Sequence, residues 1–222
     1  VEAYGWGMAG LFLASALHWL WRRFHSERQH GLGEVRCQAL PLELLASKEE
    51  YLAPGVPRLL GTLPGNQVLK PEVAEKTLLV RDLPEGFEGF RIAHLSDLHM
   101  SGRIVRDYYD AVVEATNQWN ADLVVITGDI VERTACLGWI DESLARLEGR
   151  YARLFVLGNH DLRANPAEIR ARMVAAGFID MGGRRVCLEV AQGSVDVVGN
   201  EHPWFPGPQP AVRPGARVDD AA

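Results

Sequence analysis

Cysteine is scarce and unpatterned in this 222-residue chain: Cys37, Cys136 and Cys187 are the only three, and no two stand at CxxC spacing. An odd, sparse set excludes a disulfide framework and argues against a thiolate zinc site, leaving buried free thiols as the expectation. Basic charge is also short. Lysine and arginine number 23 against 29 aspartates and glutamates, for a net charge of −6 and a pI near 5.7. With no basic surface to neutralise a polyphosphate backbone, the balance argues against a nucleic-acid-coating role, while chemistry on a single phosphate group stays open. Repeats and coiled-coil periodicity are missing too, and 47% hydrophobic with 23% charged residues is a globular composition. No GxGxxG opens a helix after a strand pattern and no GxxxxGK[ST] loop occurs. A dinucleotide-binding oxidoreductase therefore has no support.

What is present begins with one apolar run. Residues 4–21 carry no formal charge and are followed directly by Arg22 and Arg23. At 1.5 Å per residue the run spans about 27 Å, close to the roughly 30 Å of a hydrocarbon core. Tyr4, Trp6, Trp19 and Trp21 sit near its two ends, where amphipathic rings favour the headgroup level, and Gly5, Gly7 and Gly10 suit a membrane helix better than a soluble one. The expectation is a membrane-spanning or anchoring helix over 1–23. Arg22, Arg23 and Arg28 would then keep the following domain on the cytoplasmic side. Neither a positive n-region nor a small-residue cleavage site marks the run as a signal peptide. Residues 24–76, broken by Pro41, Pro54, Pro57 and Pro64, are expected to form an irregular connecting region. The chain opens at Val1, and residues 202–222 are rich in proline, glycine and alanine, so the sequence reads as a piece of a longer protein with a tail or torn edge at 202–222.

Between 77 and 201 the pattern becomes regular. Strands are expected at 77–80, 90–95, 123–127 and 154–157, the last two buried on both faces because they are continuous apolar runs. Helices are expected at 104–119, where Val105, Tyr108, Tyr109, Val112 and Trp119 recur at helical spacing, and at 137–147. A further helix should run from Pro166 to about Ala176, with Asn165 as N-cap and Glu168 at N3. Residues 186–190 and 195–198 flank Gln192-Gly193 as a hairpin. Strand, helix, strand, helix, strand specifies an α/β sheet with crossover connections.

Three of these strands end in polar residues that a strand does not need. Ser96, Asp97, Leu98 and His99 follow the strand at 90–95; Gly128 and Asp129 follow 123–127; Gly158, Asn159, His160 and Asp161 follow 154–157. In open α/β sheets, ligands bind in the crevice beyond the carboxyl ends of the strands. Each segment alone has an ordinary explanation as a cap or an Asx turn. Their joint occurrence at successive strand ends, beside glycines that let the backbone turn sharply, points to a site. Carboxylate, imidazole and amide donors together suit Mn, Fe or Zn. A central Asp can bridge two such ions, which then clamp the attacking and leaving oxygens of an in-line displacement at phosphorus and lower the pKa of a bound water to about 7.

Asp97-Leu98-His99, Gly128-Asp129 and Gly158-Asn159-His160-Asp161, in this order and spacing, resemble the first three motifs of the calcineurin-like metallophosphoesterases. The resemblance covers residues 77–199, the N-terminal half of that catalytic domain, and the longer LSDLH at 95–99 behind an apolar anchor is similar to the family's membrane-attached bacterial branch. It implies a sandwich of two β-sheets flanked by helices and a phosphoester substrate, with lipid-linked esters favoured by the anchor. It implies two divalent metal ions: Asp97 and His99 on the first, Asp129 bridging, and Asn159 on the second. His160 would donate a proton to the leaving oxygen or hold the phosphate, and Asp161 would orient His160. The family's further histidines, a lone one and then a GHxH motif, do not occur after Asp161; His202 is the only later histidine, in a Pro-rich setting that reads as a substrate-side loop. This chain by itself is therefore expected to bind metal weakly and turn over poorly, and the alternative is a non-catalytic binding or scaffold module that keeps the fold. His94 reads as a packed histidine, Arg163 as a solvated loop arginine, Glu132 and Arg133 as a solvated face, and Trp139 as core.

Overall fold

The computed structural model describes residues 14, 15, 17, 35–39, 49–61, 63, 74–190 and 193–206. They belong to two compact units, Val1–Leu40 with Ala74–Leu83, and Pro41–Val73 with Pro84–Ala222.

In the first unit, β1 (Val35–Ala39) pairs antiparallel with β2 (Ala74–Leu78), placing Val35 opposite Leu78 and Ala39 opposite Ala74. The residue pattern alone starts this strand at Thr77 and leaves 24–76 irregular. Pairing with a partner far away in sequence draws the strand start back to Ala74, which a reading of one segment at a time cannot show. Of the expected membrane helix at 1–23, residues 14, 15 and 17 are described and helical, and the rest lies outside the described residues. Among the described residues no helix is long and apolar enough to cross a membrane.

The second unit is built on a parallel sheet. Ahead of it, the chain leading into α1 (Val56–Gly61) runs beside residues 103–105, with Leu52 bridged to Ile104 and Ala53 donating to the Arg103 carbonyl. The sheet consists of β3 (Ile92–Leu95), β4 (Leu123–Thr127), β5 (Ala152–Val156) and β6 (Ile179–Asp180), parallel and adjacent in that order. Parallel neighbours need long crossovers. These are supplied by α2 (Arg106–Asn117), α3 (Gly138–Glu142) and α4 (Pro166–Ala175). All three helices pack on one face, where Tyr109, Val113, Ile140, Ile169 and Met173 meet Val124, Ile126 and Phe155 in a single core. On the other face Leu123 and Leu154 meet Val186, Leu188 and Val197 of an antiparallel hairpin, β7 (Arg185–Val190) and β8 (Gly193–Val198). Covered on both sides, β4 is apolar from Leu123 to Ile126 and β5 from Leu154 to Val156. The hairpin instead alternates, turning Arg185, Cys187, Glu189, Ser194 and Asp196 outward. The fold is the expected α/β type, with the hairpin forming the second sheet.

Several details depart from the sequence pattern. The helix expected at 137–147 divides at Ser143 into Gly138–Glu142 and a 3-10 turn at Leu144–Arg146, and the Ser143 hydroxyl donates to Asp110 on α2 at 2.5 Å. Leu137, Ile140, Leu144 and Leu147 still fall on the core face. His94 is exposed rather than packed, with Nε2 2.6 Å from Thr127 Oγ1, because β3 is the sheet's edge strand and its hairpin-side residues, Ile92 included, are left uncovered. Cys136 is buried as expected, but Cys187 lies on the hairpin's outer face. By contrast, α4 starts as its sequence demands: Asn165 Oδ1 accepts the Glu168 N–H and Pro166 opens the helix. Residues 202–206, read as the start of a tail, are docked, with the Phe205 ring against the helix-side core and under the Arg170 guanidinium.

Candidate metal centre

Because β3, β4 and β5 are parallel, their carboxyl ends share one edge of the sheet, and the three polar segments leave from there. The first two stay paired beyond their strands. Asp97 N donates to Gly128 O, His99 N to Asp129 O at 2.8 Å, and Met100 N to Ile130 O. This ladder carries Asp97, His99 and Asp129 side by side. The third segment is tied to the second by His160 N, which donates to Asp129 Oδ1 at 2.9 Å.

The approach is close enough to demand glycine twice. A Cβ on Gly128 would lie 2.8 Å from Gly158 Cα, and one on Gly158 would lie 2.6 Å from Asp129 N and collide with its carboxylate. Gly128 also holds a φ of 86°, in the left-handed region glycine tolerates. Asp97, His99 and Asp129 share that region, with φ of 55°, 45° and 54°, and without that tolerance. Each such residue costs on the order of 1 kcal/mol or more. Strain of this kind at three residues of one edge persists only where surrounding structure enforces it.

The side chains converge as follows. His99 Nε2 lies 3.7 Å from Asp97 Oδ1 and 3.8 Å from Asp129 Oδ2, so one nitrogen faces carboxylates from two loops. One ligand atom each from His99, Asp129 and His160 falls within 4.8 Å of the others, and the two imidazole rings meet edge-on at 4.6 Å. Asp97 is the outermost of the group at 66% exposed, with its other oxygen taken by the Ser96 hydroxyl. Asn159 is half-buried, and its amide makes no hydrogen bond to another described residue. Carboxylate oxygens and imidazole nitrogens at these separations, held by strained backbone, fit a borderline divalent cation such as Mn, Fe or Zn.

Asp161 differs from its sequence reading. Its carboxylate does not reach the His160 ring. It is fully buried and accepts three backbone N–H groups, those of Ile130 and Val131 at 2.9 Å and of Gly158 at 2.8 Å. Burial pushes its pKa above the ordinary carboxylate value, the three N–H donors oppose the shift, and the nearby Asp129 charge adds to it. Asp161 is thus a clamp between two loops, its carboxylate engaged by main-chain donors rather than by imidazole.

The groups that do touch the His160 ring were read as solvated. Arg163 Nη1 is 3.1 Å from Nδ1, and Glu132 Oε1 is 3.2 Å from that guanidinium and 3.8 Å from Nδ1. A guanidinium only donates, so Nδ1 accepts and the neutral ring carries its proton on Nε2. Glu132 stands three residues after Asp129, just past the Met100–Val131 bridge, and that closeness in sequence is the signal available. A cavity of about 390 Å³ opens on the hairpin side of the sheet, lined among others by Thr127, Leu157, His202 and Trp204. None of the six residues singled out from the motifs lines it. It is set apart from the cluster where the donors meet.

The family described as calcineurin-like phosphoesterase matches residues 90–200, a span that contains every donor above. Among curated proteins, a "Transmembrane protein with metallophosphoesterase domain" of Danio rerio is 33% identical over 97 residues, covering 43% of this chain and 22% of its own length. An uncharacterized metallophosphoesterase of Bacillus subtilis is 30% identical over 127 residues, covering 55% and 44% respectively. An uncharacterized metallophosphoesterase of Aquifex aeolicus is 26% identical over 162 residues, covering 64% and 62%. In each case the matched segment is less than two thirds of the relative. No solved structure matches the chain significantly.

Proposed function

Because this chain belongs to the calcineurin-like phosphoesterase family, we propose that it forms the metal-holding part of a hydrolase acting on phosphate mono- or diesters. The observation that carries the reading is the gathering of His99, Asp129 and His160 at the carboxyl edge of the sheet, one nitrogen or oxygen of each within 4.8 Å of the others, with His99 and Asp129 as metal donors and His160 beside them. In this reading Asp97 and His99 hold one divalent ion, Asn159 a second, and Asp129 both. Mn, Fe or Zn bound there would offset charge on the phosphoryl oxygens and lower the pKa of a water to about 7.

The remaining groups act on the proton and on geometry. His160, with Nδ1 accepting from Arg163, presents Nε2–H to the leaving oxygen. That favours a hydrogen bond to the leaving or a phosphoryl oxygen over ligation, since a free Nε2 lone pair would place a second hydrogen against Arg163; full proton transfer would need the imidazolium, with Arg163 turned from Nδ1 to Glu132. Glu132 lies behind the ring, where it stabilises the imidazolium when the ring is charged. A positioned acid of this kind contributes about 10²–10⁴ in rate. Left-handed backbone at Asp97, His99 and Asp129 supports a working site over a scaffold that keeps only the fold, because a scaffold gains nothing from the strain.

Two finer elements complete the proposal. The apolar run at 4–21, the arginines after it, and the printed name of the Danio rerio relative support a membrane tether with the catalytic domain on the cytoplasmic side. A tether brings lipid-linked phosphoesters within reach. The described donors are too few to saturate two ions, so the chain by itself is expected to bind metal weakly and turn over slowly. Hydrolysis of bis-p-nitrophenyl phosphate should appear on addition of millimolar Mn²⁺ and vanish with EDTA. Hydrolysis that survives chelation unchanged would overturn the reading, and no turnover at saturating Mn²⁺ would favour a binding module.

A further inference from the structure

We propose that Glu201 is a positioning residue for the loop that carries Asn159 and His160, acting through the main-chain N–H of Leu157. The inference rests on the reading of that loop as part of the metal centre. β5 leaves its ladder after Val156, and Leu157 is buried, so its N–H needs an acceptor that no strand provides. Glu201 Oε1 supplies it at 2.5 Å. The next N–H, of Gly158, ends on Asp161. Two successive peptides at the root of the loop are thus held by buried carboxylates, one from the loop itself and one from the segment that follows β8.

Glu201 is 4% exposed, and a carboxylate so deep needs a countercharge. Its Oε2 pairs with Arg170 on α4, whose Nη1 also holds Asp180 Oδ1 at 2.6 Å, at the end of β6. Desolvation works against the Arg170 charge, but Glu201 and Asp180 outweigh it and hold that pKa above the ordinary value. The cluster is close-packed: a Cβ on Gly182 would lie 2.6 Å from Arg170 Nη1 and 2.7 Å from Glu201 Oε2. A buried ion pair is weak evidence for stability, since an apolar replacement is often neutral. This one has a directional product, a charge-assisted bond fixing the peptide two residues ahead of Asn159.

Two substitutions separate that role from packing. Glu201→Gln keeps shape and an acceptor oxygen for Leu157 N–H; its NH₂ then faces Arg170, which keeps Asp180 as countercharge. Glu201→Leu combined with Arg170→Met removes the acceptor without stranding the guanidinium, and Asp180 keeps the Gly182 N–H as donor. Mn²⁺ affinity by titration and amide exchange at Leu157 and Gly158 are read without any activity assay. The double variant is expected to lose at least about 10-fold in Mn²⁺ affinity and to exchange Leu157 at least about 10-fold faster, whereas Glu201→Gln stays within about threefold of wild type on both. A folded double variant with wild-type Mn²⁺ affinity would reduce Glu201 to a structural residue and overturn the proposal. Unchanged Leu157 exchange would do the same. If the wild-type chain binds no Mn²⁺, the metal reading itself fails, and Leu157 exchange still decides whether Glu201 holds the loop.

Discussion

Asp129→Ala should weaken Mn²⁺ binding at least about 10-fold and cut phosphodiester hydrolysis by about 10²–10⁴-fold. The size follows from its place. Its Oδ2 faces His99 Nε2 from the second loop, and its Oδ1 accepts the His160 N–H of the third. Its removal would take away the donor proposed to be shared between two ions and would loosen the segment that carries His160 and Asn159. Several kcal/mol of transition-state stabilisation, at about 1.4 kcal/mol per factor of ten, gives the stated range. Asp129→Asn separates the two losses, since its amide oxygen still accepts from His160 while the charge is gone. It should melt within a few degrees of wild type and bind Mn²⁺ no better than the alanine variant. Wild-type affinity in either variant would remove Asp129 from the centre.

Asp161→Ala is expected to destabilise the folded chain by about 3–5 kcal/mol, because three buried N–H donors lose their acceptor at about 1–3 kcal/mol each and entering water recovers part of the loss. At about 2–4 °C per kcal/mol for a chain of this size, the melting temperature should fall by roughly 6–20 °C. Asp161→Asn should cost nearly as much despite its shape, since its NH₂ group turns a donor toward Ile130, Val131 or Gly158. Urea unfolding with unchanged slope measures both variants. A loss under about 1 kcal/mol in Asp161→Ala would mean that the clamp is not what holds the two loops together.

Much of the fold was legible because its signals are local or periodic. β4 is bounded by the residues its continuous apolar run specifies, and α4 by Asn165, Pro166 and Glu168. The three strand ends could be found because a buried strand that stops in Asp, His or Asn violates its own pattern. What escaped the sequence depends on partners distant in the chain. β1 sets where β2 starts, the helix expected at 137–147 divides at Ser143, and Ile92 and His94 are exposed because β3 lies at an edge. The site divides in the same way. Which residues gather follows from parallel strand ends, but which neighbour a side chain chooses does not. Asp161 turns to main-chain donors and Glu132 takes the place beside His160, although adjacency in the sequence favours the opposite pairing. Glu201 gives no signal at all in a Pro-rich stretch, since its partner is a peptide N–H at the end of another strand.

Anomalous scattering from a crystal grown with Zn²⁺ tests the central claim most directly. A peak should appear at about 2.0–2.2 Å from a His99 ring nitrogen and an Asp129 oxygen, with Asp97 turned inward to meet it. Zinc bound elsewhere, with His99 and Asp129 left without metal at full loading, would contradict the account.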